Sequence, residues 1–330
     1  VLTFNTNDIT PSSTVGLHPQ LLHYDVRTSN GLDVGGNSIK SPTPGTKKQY
    51  TWYAGDVSSE QVGTQQKLTA KPVEFGVVGL MPADRIEGSS KGLVGALVVE
   101  PEGATWETDP GTRISADVSV DGGASFREHV VVLQDDLTLR YSDDCPGVPG
   151  DMDCAVPAVP SEGKGVPEDA EDSGQRAINY QTDPVWYRLG IAPDTPFEDP
   201  SSRGNTDVHK AFSNALFGGA DPEAPIFTAQ AGEPVRLRVV QPGGHARGHV
   251  IALNGHSWQR QPYVNDSASL GDSPSSWWIG AQDGIGPALH HDFLLPKAGG
   301  PFERPGDYLL EDSGSLGSYQ GLWGLFRVQE

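Results

Sequence analysis

Cysteine, methionine and basic residues are scarce in this chain of 330 residues. It contains two cysteines, two methionines and 23 lysines and arginines, against 43 aspartates and glutamates, so its formal net charge is −20. This charge repels phosphate backbones and anionic lipids, which excludes nucleic acids and acidic membrane surfaces as expected partners. Divalent cations and other cationic partners stay open.

Long apolar runs and helical periodicity are also missing. No run of about 18 apolar residues occurs, so the sequence predicts no membrane span. The first residues show neither an initiator methionine nor a signal-like leader, and we expect the chain to be a processed product or a piece of a longer protein. Only residues 207–217 have the spacing of an amphipathic helix, with Asp207 as the expected N-cap and Gly218 after its end.

Both cysteines, Cys145 and Cys154, lie in one segment rich in proline and glycine. This arrangement favours a loop-closing disulfide over two unpaired thiols, and a metal site is the weakest alternative because no histidine stands nearby. A disulfide indicates an oxidising compartment, so the expected location is extracytoplasmic or secreted.

Turn residues are abundant, with 41 glycines and 27 prolines. Short runs rich in valine and aromatic residues recur between them, which is the pattern of a β-sandwich rather than of alternating strands and helices. The sequence therefore predicts an all-β fold. The runs are 50–53, 95–100, 129–134, 234–240, 249–253 and 324–328.

Two domains are expected, at residues 1–122 and 123–330, and the second carries an acidic insertion at about 142–173 that holds both cysteines. A weak internal repeat supports two copies of one fold. Residues 91–100 and 320–329 share a Gly-Leu-X-Gly turn followed by an apolar strand. Each is expected to follow a strand introduced by Pro-Gly, within 44–53 and 305–310.

These closing strands, with the phrase Gly255-His-Ser-Trp-Gln259 after an apolar run, resemble the cupredoxin domains of multicopper oxidases. The ending Gly321-Leu-Trp-Gly-Leu-Phe-Arg-Val328 most resembles the large, many-domain oxidases associated with Mn(II) oxidation. The resemblance covers most of the chain outside the insertion. It implies two Greek-key β-sandwich cupredoxin domains, the first without its opening strands.

The resemblance also implies where copper ligands would stand. A type 1 copper uses two histidines and a cysteine thiolate, and the three-copper cluster of the family uses four His-X-His pairs. The first pair falls at His18-Pro19-Gln20, where one imidazole is kept. The second falls at Leu80-Met81-Pro82, which offers only a thioether.

The third and fourth motifs have also lost most of their ligands. In the third, His249 keeps the type 1 position and His256 the trailing histidine, whereas Ala252 and Asn254 replace the two cluster ligands. In the fourth, Glu311-Asp312-Ser313 replaces His-Cys-His, and Gly317 stands at the last histidine.

An aspartate in place of the thiolate cannot make a blue copper site. Copper is therefore the cofactor of the family, but this chain is expected to bind none and to contain no catalytic residue. The vestigial copper-ligand positions are His18, His249 and His256.

The first functional hypothesis is a copper-free, structural pair of cupredoxin domains of a large multicopper oxidase, with manganese as a candidate substrate of the parent enzyme. Its expected partners are other cupredoxin domains of the same parent protein or a copper-bearing subunit.

A second hypothesis is a stand-alone extracellular protein that binds cations or forms a lattice or scaffold. A third is an oxidase with an unorthodox metal site built from His245, His249, His256 and His290. Whether the chain is itself an enzyme stays open between these hypotheses.

Overall fold

The structure is a computed structural model that describes residues 12–85, 88–89, 92–137, 175–189, 207–244, 248–263, 268–314 and 317–330. The acidic insertion, its two cysteines Cys145 and Cys154, and His245 lie outside these residues. The predicted disulfide therefore stays a prediction.

Strands dominate the described residues. They are β1 (Leu17–Pro19), β2 (Asp56–Val62), β3 (Gln65–Lys71), β4 (Gly76–Pro82), β5 (Gly95–Val99), β6 (Ala104–Thr108), β7 (Ser115–Val120), β8 (Phe126–Leu137), β9 (Gln175–Ile178), β10 (Ile226–Gln230), β11 (Val235–Gln241), β12 (His249–Leu253), β13 (Trp258–Gln259), β14 (Trp278–Ile279), β15 (Ala281–Ile285), β16 (Leu289–Leu295), β17 (Gly306–Asp312) and β18 (Trp323–Gln329). The helical elements are α1 (Val185–Arg188) and short 3₁₀ turns at Val208–Lys210, Asn214–Phe217 and Gly300–Phe302.

Two sheets pack face to face into a β-sandwich. One has the strand order β16-β11-β8-β7-β6, with β9 paired to β8, and the other has the order β10-β18-β17-β12-β15. Apolar side chains of both sheets form one core between them. Full burial of each large apolar side chain stabilises the fold by about 1.5–3 kcal/mol. Core side chains with at most 1% exposure include Val131, Leu237, Ile251, Phe293 and Phe326.

A three-stranded antiparallel sheet, in the order β1-β4-β5, covers the outer face of the six-stranded sheet. Side chains alternate between the two faces of a strand, so Val132 and Val240 face away from the sandwich core that holds their neighbours. Both pack against Val77 of β4. The strands β2 and β3 form a separate two-stranded hairpin, which pairs with none of these three sheets in the described part of the chain.

The all-β class and the β-sandwich are confirmed. The predicted runs 95–100, 129–134, 234–240, 249–253 and 324–328 all fall on strands. The run 50–53 is an exception, since only Tyr53 makes an isolated bridge, to His23. There the rings of Tyr50 and Trp52 stack at 6.0 Å, and Trp52 Nε1 donates to the carbonyl of Ser29 at 2.9 Å. The aromatic side chains thus anchor a loop instead of a strand.

Strand pairing makes the internal repeat visible. β1, β4 and β5 lie side by side in antiparallel pairs, and β12, β17 and β18 do the same in the other sheet. β5 and β18 are the strands after the two Gly-Leu-X-Gly turns. The strand before β5 is β4, so the predicted match of 44–53 with 305–310 is wrong.

The six-stranded sheet spans the predicted division at residue 122. β6 pairs with β7, and β7 pairs with β8, with Ser115 opposite His129. Residues on both sides of the division therefore share hydrogen bonds within one sheet. The division itself stays a prediction.

The predicted helix at 207–217 is two 3₁₀ turns. Asp207 forms an ion pair with Lys210 at 2.8 Å rather than a cap, and Ser213 caps the second turn by accepting from the Ala215 amide. Gly218 ends it in the left-handed region, at φ 67°. No helix within the described residues is long and apolar enough to cross a membrane.

Candidate functional site

His249, which the sequence resemblance predicts to be a vestigial copper ligand, lies in a buried ion cluster. His249 begins β12 and Asp312 ends β17, and these paired strands bring His249 Nδ1 to 2.8 Å from Asp312 Oδ2. The other ring nitrogen, Nε2, lies 3.1 Å from Asp135 Oδ2 on β8 of the opposite sheet. His249 and Asp312 have no solvent exposure, and Asp135 is 5% exposed. The cluster therefore joins the two sheets through charged groups.

Further groups complete what we call the His249 cluster: His249, Asp135, Asp312, Arg176 and Gln241. Arg176 Nε lies 3.2 Å from Asp135 Oδ1, and its NH1 lies 3.6 Å from Asp312 Oδ2. Gln241 Nε2 donates to Asp135 Oδ2 at 2.6 Å. Two carboxylates thus face one guanidinium and one imidazole.

The charge of His249 follows from this arrangement. Burial by itself would lower the pKa of the imidazole, but the hydrogen bonds and charges of Asp135 and Asp312 outweigh burial and raise the pKa to about 9. At neutral pH both ring nitrogens therefore carry protons and donate them to carboxylates. An imidazolium has no lone pair for a metal ion.

Gly317 explains how an aspartate fits at position 312. A Cβ atom on Gly317 would overlap the Asp312 carboxylate. The space of the missing side chain is thus the space that the carboxylate occupies. A side chain at 317 would overlap both the Cβ and the carboxylate of Asp312 in this backbone arrangement, so glycine is required there.

The first and second motif positions lie side by side. Register between β1 and β4 places His18 directly opposite Met81. His18 Nδ1 lies 2.9 Å from Asn30 Oδ1 and 3.2 Å from the Tyr24 hydroxyl, so its neighbours are an amide and a phenol. Gln20 donates from Nε2 to the Ala288 carbonyl. Among the described residues, this pair of motifs offers one imidazole and one thioether.

His256 has a structural role. Its Nδ1 donates to the Asn254 carbonyl at 3.0 Å, and its Nε2 accepts from the Gly299 amide at 3.0 Å. The ring packs edge-on against Tyr308 and Phe326. Burial lowers the pKa of this histidine, so the ring is neutral and both its nitrogens are engaged.

His249, His256 and His290, the histidines of the third hypothesis that the structure describes, do not share one set of neighbours. His290 lines a cavity of about 640 Å³ together with His291, Tyr263 and Gln282, away from the partners of His249 and His256. Burial lowers the pKa of both histidines in this cavity. In the described part of the chain, no group of three or more His, Cys, Asp or Glu side chains could hold a metal ion.

Sequence reasoning missed a second buried ion cluster, which we call the Arg238 cluster: Arg238 with Glu74, Glu100, Glu128 and Asp292. The guanidinium lies 2.7 Å from Glu128, 2.8 Å from Asp292, 3.2 Å from Glu100 and 3.5 Å from Glu74. Burial raises the pKa of Glu100 to about 8, with the neighbouring Glu128 adding to this effect. The arginine that alternates with valine and leucine in β11 is the one sequence signal for this cluster.

No family model matches the chain, and no curated protein matches it in sequence. Among solved structures it is similar to a multicopper oxidase, with 12% identity over 96% of this chain and 70% of that chain, and a TM-score of 0.41. It is also similar to the blue copper oxidase from Nitrosomonas europaea, with 13% identity over 96% and 69% of the two chains and a TM-score of 0.42. A third similar structure is the multicopper oxidase mgLAC, with 11% identity over 96% and 71% and a TM-score of 0.43.

Proposed function

We propose that the chain is a copper-free, structural pair of cupredoxin domains of a large multicopper oxidase. In this proposal it supports copper sites held elsewhere in the parent chain or by a copper-bearing subunit. One observation carries it. At the type 1 position, both nitrogens of His249 donate to carboxylates, and Asp312 stands in place of the thiolate.

The geometry of the His249 cluster supports this reading over a rebuilt metal site. Asp312 and Asp135 lie at opposite nitrogens of the ring, so their oxygens do not converge with one imidazole lone pair on a single point. A metal at Nδ1 would have to displace the proton that Asp312 accepts. Metal binding would also change the charge balance of the His249 cluster, in which two carboxylates face one guanidinium and one imidazolium. The cluster links the two sheets without a metal ion.

The finer parts of the proposal rest on the sequence resemblance. The closing strand 321–328 supports a parent enzyme of the Mn(II)-oxidising kind, and the segment with Cys145 and Cys154 supports an extracytoplasmic or secreted location. The expected partners are other cupredoxin domains, since a domain that has lost its ligands can still pack against one that keeps them.

The first test is the metal content of the chain purified from its source without chelators, with the intact mass and any co-purifying chain measured in parallel. We expect copper far below one ion per chain, and a copper-bearing partner or a longer parent mass. Stoichiometric copper in the isolated chain would contradict the proposal. A monomer without any copper-bearing partner would also contradict it, and would favour the stand-alone scaffold hypothesis.

A second test restores the ligands that the resemblance assigns. The variant Asp312→Cys offers a thiolate beside His249 Nδ1 and keeps Gly317, because a Cβ there would lie 2.8 Å from the Cβ of residue 312. Imidazole added to the buffer supplies the second nitrogen ligand that a type 1 copper needs. We expect it to bind Cu(II) with the intense visible absorption of a copper–thiolate bond, and to lose this absorption when His249→Ala is added. An Asp312→Cys variant that folds, by circular dichroism, but takes up no copper in the presence of imidazole would show that this is not a former copper position.

A further inference from the structure

The cavity that His290 lines, which we call the His290 cavity, lies where the two sheets of the sandwich end. Its volume is about 640 Å³. Gln282 comes from β15, the last strand of one sheet, and His290 comes from β16, the last strand of the other. Leu21, after β1, and Phe75, before β4, also line it. Sites for small molecules usually have cavities of about 300–1,000 Å³, so the His290 cavity is large enough for one.

Gln282 brings an unpaired acceptor to this cavity. The residue is 3% exposed, and its Nε2 donates to the Asp283 carbonyl at 3.1 Å. A carbonyl only accepts, so the amide cannot be turned around without losing this bond. Oε1 is therefore the free end of the amide, and it has no hydrogen-bond partner within the described part of the chain. A buried acceptor of this kind is costly unless a bound molecule donates to it.

His290 adds a second unpaired group. Its Nδ1 is buried and has no hydrogen-bond partner among the described residues. Burial lowers the pKa of His290, so at neutral pH the ring is uncharged and has one nitrogen that donates and one that accepts. Gln282 and His290 thus offer two uncharged polar groups, one from each sheet, to a molecule in the cavity.

The charged groups that line the cavity already have partners. Glu74 pairs with Arg236 and Arg238, and Arg260 NH2 lies 2.7 Å from Asp283 Oδ1. An ion in the cavity would therefore meet no unpaired opposite charge on the described lining residues. Burying a charge without a partner is costly, so the lining favours an uncharged ligand.

Tyr263 supplies a fixed aromatic wall. Its hydroxyl donates to Asp292 Oδ2 at 3.0 Å, and an isolated bridge pairs the residue with Leu270. These contacts hold the ring in place, while 45% of the residue stays exposed. An aromatic wall with a few polar groups suits a ligand that has both an apolar face and hydrogen-bonding groups.

We propose that the His290 cavity binds a neutral sugar of one or two rings, which donates a hydroxyl to Gln282 Oε1, pairs a second hydroxyl with His290 Nδ1 and lies on Tyr263. A hydroxyl both donates and accepts, so it suits the acceptor of Gln282 and either tautomer of His290. The C–H face of a sugar ring supplies the apolar surface for the tyrosine. This inference goes beyond the proposed function and does not depend on the copper motifs.

The experiment is an NMR titration of the full chain with glucose, galactose, mannose, maltose, cellobiose and lactose. We expect at least one of them to bind with a Kd of about 1 mM or tighter. Binding should shift the imidazole nitrogen signals of His290 in the natural chain. Glucosamine and glucuronate carry one charge each on the same kind of ring, and both should bind at least about tenfold more weakly than the neutral sugar.

Variants test the two unpaired groups. Gln282→Leu and His290→Phe nearly keep the side-chain volume, and each should weaken sugar binding about tenfold. The matched control is Gln230→Leu on β10, because Gln230 also donates one hydrogen bond from Nε2 but does not line the cavity. It should leave sugar binding unchanged. Gln282→Leu should lower the urea midpoint of unfolding no more than Gln230→Leu does, since Oε1 of Gln282 is unpaired.

Four outcomes would overturn the inference. If none of the neutral sugars binds the folded chain, water or the chain itself fills the cavity. If both Gln282→Leu and His290→Phe bind the sugar at full strength, the sugar lies elsewhere. Equal binding of glucosamine or glucuronate would contradict a site for uncharged ligands. A Gln282→Leu chain that is much less stable than Gln230→Leu, or does not fold, would show that Oε1 has a partner within the protein.

Discussion

The His249 cluster and the Arg238 cluster both bury charge around the same sandwich, but they balance it differently. In the His249 cluster, two aspartates face one arginine and one histidine. In the Arg238 cluster, one fully buried guanidinium contacts four carboxyl groups, and the pKa of Glu100 is raised to about 8. The His249 cluster depends on the imidazolium of His249, which can lose its proton. The guanidinium of Arg238 has a permanent positive charge. The Arg238 cluster therefore reduces its excess of negative charge because Glu100 keeps its proton.

The two clusters also join different parts of the molecule. The His249 cluster links the two sheets of the sandwich, through Asp135 on one and Asp312 on the other. The Arg238 cluster links the three-stranded sheet to the sandwich, because Glu74 and Glu100 flank β4 and β5. The fold thus uses buried ion pairs at two interfaces. In the His249 cluster the base titrates, and in the Arg238 cluster an acid titrates.

The largest expected effect comes from removing the permanent charge. Arg238→Met removes the guanidinium that contacts Glu100, Glu128 and Asp292, and we expect a loss of about 3–5 kcal/mol in the free energy of unfolding, measured with urea. The matched control is Arg236→Met, whose guanidinium stacks on Phe126 and pairs with Glu74 nearer the surface. Equal losses for the two variants would contradict the central role of Arg238.

The next effect is the pH dependence of the His249 cluster. The pKa of His249 is raised from 6.5 to about 9, so its stabilisation is fully present below pH 6.5 and is lost as the pH rises through 9. The difference corresponds to at most about 3 kcal/mol. We expect urea titrations of the natural chain to show falling stability over this range. Glu100 contributes to the fall up to about pH 8, so His249→Gln should remove the part of the slope that remains in Glu100→Gln.

His256→Gln is the control for this prediction. Burial lowers the pKa of His256, so its contribution to stability is present above its unfolded pKa and is lost as the pH falls. The slope between pH 6.5 and 9 should therefore persist in His256→Gln. A slope that His249→Gln leaves unchanged would show that the histidine is not the titrating group.

The smallest effect is expected at Glu100. Its raised pKa means that it is a neutral acid below about pH 8, and glutamine is a neutral group of the same shape. Glu100→Gln should change the free energy of unfolding by less than about 1 kcal/mol at pH 4, below the ordinary pKa of 4.5. It should be the more stable chain at pH 9, because the stabilisation by the neutral acid is lost as the pH rises from 4.5 through about 8. A large loss at pH 6, measured by urea unfolding, would show that Glu100 is ionised there.

Much of the fold could be predicted from local patterns. Short runs rich in valine and aromatic residues between turn residues identified β8, β11, β12 and β18, because such side chains suit the packed faces of a sheet. The same reading failed at 50–53, where aromatic residues suit a strand but instead anchor a loop through the Trp52 indole and the carbonyl of Ser29. It also missed β4 as the counterpart of β17, because the Pro-Gly pair before 50–53 matched the Pro-Gly pair at the start of β17, whereas strand pairing places β4 beside β5.

At the candidate site, too, some features follow from the sequence and others only from the tertiary structure. The sequence alone determined which residues the resemblance aligns with each copper motif, with Asp312 at the expected cysteine and Gly317 at the expected histidine. The tertiary structure alone decided that Asp135 and Arg176 join His249, that the imidazole is charged, and that Asp312 occupies the space that Gly317 leaves. Residue types and alternation are properties of neighbours along the chain. A buried ion cluster joins residues as far apart as Asp135 and His249, and their charges depend on burial and distance, which only the packed sheets set.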